Sequence, residues 1–494
     1  MTPDPAPGAP SSKSASHHSA PRSRVYGRYL GRRIHSSEWL SPRQWQRRIL
    51  FWSGAIIVGL AAVGFAWAAD AAYAQFSRLV QHGRFWPFIV TPAVFAFLSW
   101  ATSGPLKATR GSGIPQAIAA LQVEDERFRH GLLSLKVALG KMALTLLALL
   151  GGASVGREGP TVHVGAGLLY TLGRRFGLAD AASAGRFILA GSAAGLAAAF
   201  NTPLAGVVFA IEEMSGAFEH RMSGVILTAV IMSGVVSLGI LGNYAYFGRF
   251  DIVLPLGRAW VAVVACGLVC GLMGGLYARL IQPGSRGIVG WVAATRGRNP
   301  VLFAAGCGLA LVLLSQLTHH GLYGTGYAQA KSILQQDDDA AVPFFGILKM
   351  LGNIACSWAG IPGGFFSPSL AVGAGLGQNI SHFLPAIDPS AVVLLGMTAY
   401  LAGVTQAPLT ATVISMELTA NQQMVLPIMA AALLARAASA LVCRKPVYRA
   451  LADVVVKAYE QETQRQHGHR DAEAQEVAAR GGVSSHPVAE QKPH

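Results

Sequence analysis

Long apolar stretches dominate this chain. They lie at 50–69, 86–101, 133–155, 187–211, 223–243, 259–281, 300–317, 390–404 and 424–443. Crossing a bilayer as a helix takes about 20 such residues. Inside a membrane every backbone N–H and C=O must be satisfied within the chain, so only helices and closed barrels span it. Stretches of this length, recurring along the chain, point to a bundle of membrane helices. Charge content agrees: 13% of the 494 residues are charged and 52% hydrophobic, against about 25% charged in soluble domains. Other apolar stretches, 160–172, 344–358 and 364–378, are short or interrupted by Gly and Pro. The expectation is an all-α polytopic membrane bundle of more than ten segments, several of them partial.

The net charge of +15 is not a nucleic-acid signature, because the basic residues sit at the ends and in loops. Residues 1–48 carry nine Lys and Arg against Asp4 and Glu38, and Arg444, Lys445, Arg449 and Lys457 follow the last apolar stretch. Basic flanks stay on the cytoplasmic side, so both termini are expected in the cytoplasm. Residues 1–48 read as a basic, mostly disordered tail with a short amphipathic helix near 37–48. Residues 49–458 read as the membrane domain and 459–494 as a polar, disordered tail. The five cysteines lie in or beside apolar segments without metal-ligand spacing, and neither a metal nor a cofactor is implied.

The core repeats. "PTVHVGAGL" (160–168) returns as "PSLAVGAGL" (368–376), 208 residues later. "GSAAGLAAAFNTPLAGVVFAIEEM" (191–214) returns as "GMTAYLAGVTQAPLTATVISMELT" (396–419), 205 residues later, pairing Gly191 with Gly396, Pro203 with Pro408 and Glu212 with Glu417. The halves run about 49–245 and 255–445, with a final cytoplasmic-side helix about 446–458. Repeated halves with paired broken segments mark transporters, whose site lies where the halves meet. Spacing alone leaves the halves' relative orientation open.

Ionisable groups within membrane segments are functional candidates. Here they are Lys141, Arg157, Glu158, Glu212, Glu213 and Glu417. Glu158 and Glu213 suit proton transfer; one of Glu212 and Glu213 can be structural, and a structural part is preferred for Glu417 and Lys141. Three Gly/Pro motifs, "GSGIP" (111–115), "GREGP" (156–160) and "GGFFSPSL" (363–370), each suit a helix that starts inside the membrane. Such a start offers free N–H groups and a partial positive charge to an anion, and partial charges let an ion leave again.

In this order, with "KPVY" at 445–448, these motifs resemble the CLC family of chloride channels and chloride/proton exchangers over roughly 50–455. The resemblance implies two inverted repeats of tilted and partial helices, and a homodimer with one anion pathway per subunit; the short tail and compact loops point to a prokaryote, and so to a bacterial inner membrane. It implies a central anion held by Ser112 with Gly113 and Ile114, by Gly364, Phe365 and Phe366, and by Tyr448. Glu158, framed by Gly156, Arg157, Gly159 and Pro160, matches the gating glutamate that competes with chloride. Glu213, beside Glu212, matches the inner proton-transfer glutamate of the exchangers, where family channels usually have an uncharged residue. Several bacterial exchangers continue GSGIP with glutamates; this chain has Gln116, Ala117 and Ile118. The family's large cytoplasmic nucleotide-sensing domains are not expected in so short a tail.

Chloride and protons are thus the expected partners, in a lipid bilayer, with no nucleic acid. The main alternative is a passive, pH-gated chloride channel on the same fold. A membrane enzyme is disfavoured, since the chain has no HExxH or GxGD motif and Ser112 has no evident base. A cation-coupled transporter of another fold fits the repeat but not the paired GREGP and KPVY motifs.

Overall fold

Proline and glycine punctuate the chain into helices. Proline occupies the first turn of the helices that begin at Trp86, Ile114, Pro203, Pro300, Pro389 and Pro408, where its missing N–H has no partner to lose. The computed structural model describes residues 42–180, 183–215, 223–242, 245–284, 287–337 and 342–481. In chain order the helices are α1 Pro42–His82, α2 Trp86–Ser103, α3 Ile114–Gln122, α4 Glu126–Leu133, α5 Leu135–Leu150, α6 Glu158–Arg175, α7 Ala184–Phe200, α8 Pro203–Phe209 and α9 Ser223–Leu241. They continue as α10 Val261–Ile281, α11 Gly287–Arg298, α12 Pro300–Gln316, α13 Tyr327–Gln335, α14 Phe345–Ala359, α15 Phe366–Ser381, α16 Pro389–Thr405, α17 Pro408–Thr419, α18 Val425–Val442 and α19 Val447–Gly481. A π-helical turn, Ala210–Ser215, extends α8. The described residues from Leu50 on form one compact unit.

Six helical stretches among the described residues are long and apolar enough to cross a membrane, and α7, α12 and α16 are shorter apolar helices. The expected mixture of full and partial segments is therefore present. The C-terminal end differs from expectation: α19 continues through 459–481, where the polar composition predicts a disordered tail. That stretch lacks Pro and is rich in Glu, Gln, Arg and Ala, all good helix formers. Residues 1–41 and 482–494, which carry the rest of the expected tails, lie outside the described residues. A separate helix near 37–48 is replaced, from Pro42 on, by the start of α1.

The repeat governs packing. A Cβ on Gly191 of α7 would run into the Gly165 carbonyl of α6, and one on Gly373 of α15 would lie 2.6 Å from the Gly396 carbonyl of α16. Small residues let these backbones meet. Asn201 and Gln406 both end their helices in the left-handed conformation, at φ 58° and 60°. Their amides donate to the carbonyls of Gly242 (3.4 Å) and Cys443 (2.6 Å).

Two exchanges relate the halves as a pseudo-two-fold pair. Gly156 and Gly364, 208 apart in sequence, trade backbone hydrogen bonds of 2.6 and 2.7 Å. Glu212 accepts from the N–H groups of Leu409 and Thr410 at the start of α17, and its equivalent Glu417 accepts from Leu204 and Ala205 at the start of α8. When residue i meets j and the equivalent of j meets the equivalent of i, the contact is isologous. The architecture is an all-α polytopic membrane fold of two inverted repeats, with tilted and partial helices.

Candidate functional site

The approach to α3 is a strained loop held from several sides. Gly111 and Gly113 have φ of 67° and 100°, placing Ser112 between two left-handed residues. A Cβ at Gly113 would also lie 2.6 Å from His163, so glycine is required on both counts. Gln116 donates its amide to the Arg110 carbonyl at 2.6 Å. Lys141, fully buried on α5, donates to the Gly111 carbonyl at 2.8 Å, and the Gly363 N–H donates to that same carbonyl at 3.2 Å. A buried ammonium is tolerated when carbonyls receive its protons. Lys349, 208 residues later, does the same for the carbonyls of Leu322 and Gly324 at 2.7 and 2.9 Å. Sequence reasoning weighed Lys141 and overlooked Lys349; the repeat offset was the signal that could have found it.

Helices α6 and α15 start side by side on the Gly156–Gly364 bridge. A Cβ on Gly364 would lie 2.9 Å from the Gly159 nitrogen, and one on Gly159 would overlap the Ser112 hydroxyl. The three Gly/Pro motifs therefore converge, with Pro160 buried in the first turn of α6. Glu158 has no exposed surface, and its Oε1 accepts from the Ser367 hydroxyl at 2.6 Å. Its carboxylate rests against Gly156, faced by the N–H groups of Glu158 and Ser367. Oε2 has no hydrogen-bond partner among the described residues.

Arg157 turns away from this carboxylate, donating to the Ala66 carbonyl at 2.8 Å and to Asp70 Oδ1 at 2.6 Å. Asp70 was not among the candidates; its charge within α1 was the available clue. One full cation is thus neutralised by an acid, and the N–H groups of two helix starts are left to hold an anion.

Beside the α6 start stand two hydroxyls. Ser112 and Tyr448 are buried neighbours, and neither hydroxyl has a partner in hydrogen-bond geometry among the described residues. Phe365 stacks on Tyr448, ring centroids 4.9 Å apart, which fixes the phenol. Ile114 and Phe366 open α3 and α15 and are both buried. Two O–H donors and helix-start N–H groups in an apolar setting suit a dehydrated halide.

The structure separates the adjacent acids. Glu212 is used in capping α17, at 3.1 and 2.6 Å. Glu213, on the π turn, is 4% exposed and its Oε1 has no partner among the described residues. Tyr448 lies close enough to feel both the Glu213 and Glu158 carboxylates.

Inverted repeats whose broken helices meet at a buried, cation-poor donor cluster define a membrane protein with an anion pathway. Residues 93–440 match the family described as voltage gated chloride channel. The chain belongs to this family, the CLC family, and with it to the chloride-transporting proteins. Among solved structures it is similar to a slow cyanobacterial Cl⁻/H⁺ antiporter, with a TM-score of 0.68, 22% identity and coverage of 83% of this chain and 97% of that one. It is also similar to a CLC-type fluoride/proton antiporter (TM-score 0.68, 21% identity, 81% and 97% covered) and to a eukaryotic CLC transporter (0.64, 22%, 82% and 74%). At these identities the likeness is one of fold.

Proposed function

We propose that the protein exchanges chloride for protons, with Glu158 as gate and Glu213 as inner proton carrier. The observation that carries this reading is the unpartnered, buried carboxylate of Glu213 beside a Glu212 wholly engaged in capping. A channel has no use for such a group, and an unpaired acid at membrane depth is costly to keep without a role.

Ser112, Tyr448 and the N–H groups of Ile114 and Phe366 hold the central chloride. The Glu158 carboxylate holds the outer position by accepting from Ser367 and the α6 and α15 starts. Chloride wants the same donors. Protonation ends the carboxylate's claim, so proton and chloride occupancy are coupled, and the coupling is reciprocal. Chloride is preferred over other anions because Ser112 stands where family nitrate transporters tend to have Pro, and because the fluoride branch departs further from these motifs. The basic segments after α18 and before α1 favour cytoplasmic termini, in a bacterial inner membrane. Exposed Leu204 and Leu409, equivalent positions on α8 and α17, favour this face as the homodimer surface in the lipid bilayer.

Purified protein in liposomes should drive protons uphill when given a chloride gradient. Glu213→Gln should stop proton movement and spare chloride flux, while Glu158→Gln should uncouple the two. Chloride flux with no proton movement in the wild type would leave the passive-channel reading instead.

A further inference from the structure

At the α19 end of the molecule, two guanidinium groups meet over one glycine. A Cβ on Gly360 would lie 2.7 Å from Arg110 Nε and 2.9 Å from Arg296 Nη2. The two groups are therefore no further apart than the sum of those distances, and one anion can touch both. Like charges so close repel unless something negative offsets them. Neither guanidinium is hydrogen-bonded or ion-paired among the described residues. The carbonyl end of α14, which stops at Gly360, supplies partial negative charge beside them.

Their place in the fold gives the pair a purpose. Arg110 is two residues before Ser112, and Gly360 is four residues before Gly364, on the two loops joined by the Gly363–Gly111 hydrogen bond. Trp358, two residues before Gly360, donates to the Leu280 carbonyl at the end of α10, and Gln282 at that same end donates to the Lys445 carbonyl just before α19. The pair thus stands beside the loops that build the anion site, near the segment that leads into α19, and opposite in role to the neutralised Arg157–Asp70 pair. Both side chains are half-buried, so water reaches them. Full cations inside a filter would hold an ion too tightly to release it. Outside the filter they gather anions and speed entry.

We propose that Arg110 and Arg296 form an anion-capture site that delivers chloride to Ser112 from the α19 side. The inference rests on the chloride-transport reading above. It assigns a function to two residues that the gating and proton steps do not use.

The test is initial-rate chloride uptake into inside-out and right-side-out membrane vesicles, at constant ionic strength set with gluconate. Arg296→Gln should raise KM for chloride about three- to tenfold, in one vesicle orientation only, with kcat unchanged. Arg296→Lys should restore KM to within about twofold, and the difference should shrink as ionic strength rises. Arg110→Gln, which leaves the carbonyl held by Gln116 and Lys141 in place, should act in the same direction. Unchanged KM in a transporting Arg296→Gln protein would overturn the capture site alone. So would an equal fall in kcat for the Gln and Lys variants. A wild type that moves no chloride would overturn the transport reading itself.

Discussion

Adjacent glutamates with opposite duties make the sharpest test of this structure. Glu212 accepts two backbone N–H groups at the start of α17, and Gln in its place keeps one carbonyl oxygen and loses the charge. Hydrogen bonds to charged groups contribute about 1.5–3 kcal/mol each. The cap is partly solvated, since Leu409 is 50% exposed, so one lost bond at the low end gives about 1–2 kcal/mol. With an unfolding entropy of about 2.1 cal/mol/K per residue, a chain of this size should lose about 1–2 °C in Tm. Glu213→Gln removes no hydrogen bond and relieves a buried, unpaired carboxylate, so its Tm should stay level or rise. Proton flux should show the reverse: intact in Glu212→Gln and lost in Glu213→Gln. Glu417→Gln should repeat the Glu212→Gln result at the other end of the α8–α17 pair. Thermal unfolding in detergent and coupled flux in liposomes read the two properties separately. A Glu212→Gln protein that keeps its Tm and loses proton flux would refute the assignment, as would a Glu213→Gln protein that loses Tm.

Two further outcomes follow from contacts at the site and at the helix crossings. Ser367→Ala removes the hydroxyl that holds Glu158 at 2.6 Å. A loss of about 1.5–3 kcal/mol should shift the competition toward chloride by roughly tenfold or more, seen as faster chloride efflux where the gate limits the rate; an unchanged rate would mean the hydroxyl does not restrain the gate. Gly165→Ala drives a methyl toward the Gly191 carbonyl and should cost about 1–3 kcal/mol in thermal unfolding. Gly64→Ala, with nothing within 4 Å of the new methyl, should be neutral or slightly stabilising. Equal Tm losses in both would point to a general intolerance of α-methyl groups.

Much of the fold was legible because membrane burial leaves the backbone few choices. Long apolar runs had to be helices, and Gly/Pro interruptions had to be breaks. The end of α19 departs from expectation because polarity alone does not mark disorder where, as in 459–481, the polar residues are themselves helix formers. Glu158, Ser112 and Tyr448 stood out by motif. Asp70, Lys349, Arg110 and Arg296 did not, since each matters through a neighbour far away in sequence.

The helical membrane class, the repeat and the residues able to face an anion can be read from the chain alone, because these depend on local chemistry and spacing. Only the tertiary structure decided which charges are already satisfied. It gave Arg157 to Asp70, Lys141 to the Gly111 carbonyl and Glu212 to the start of α17, while leaving Glu213 unpartnered among the described residues. At membrane depth, a charge's role is set by what it touches, and those partners lie many residues away along the chain.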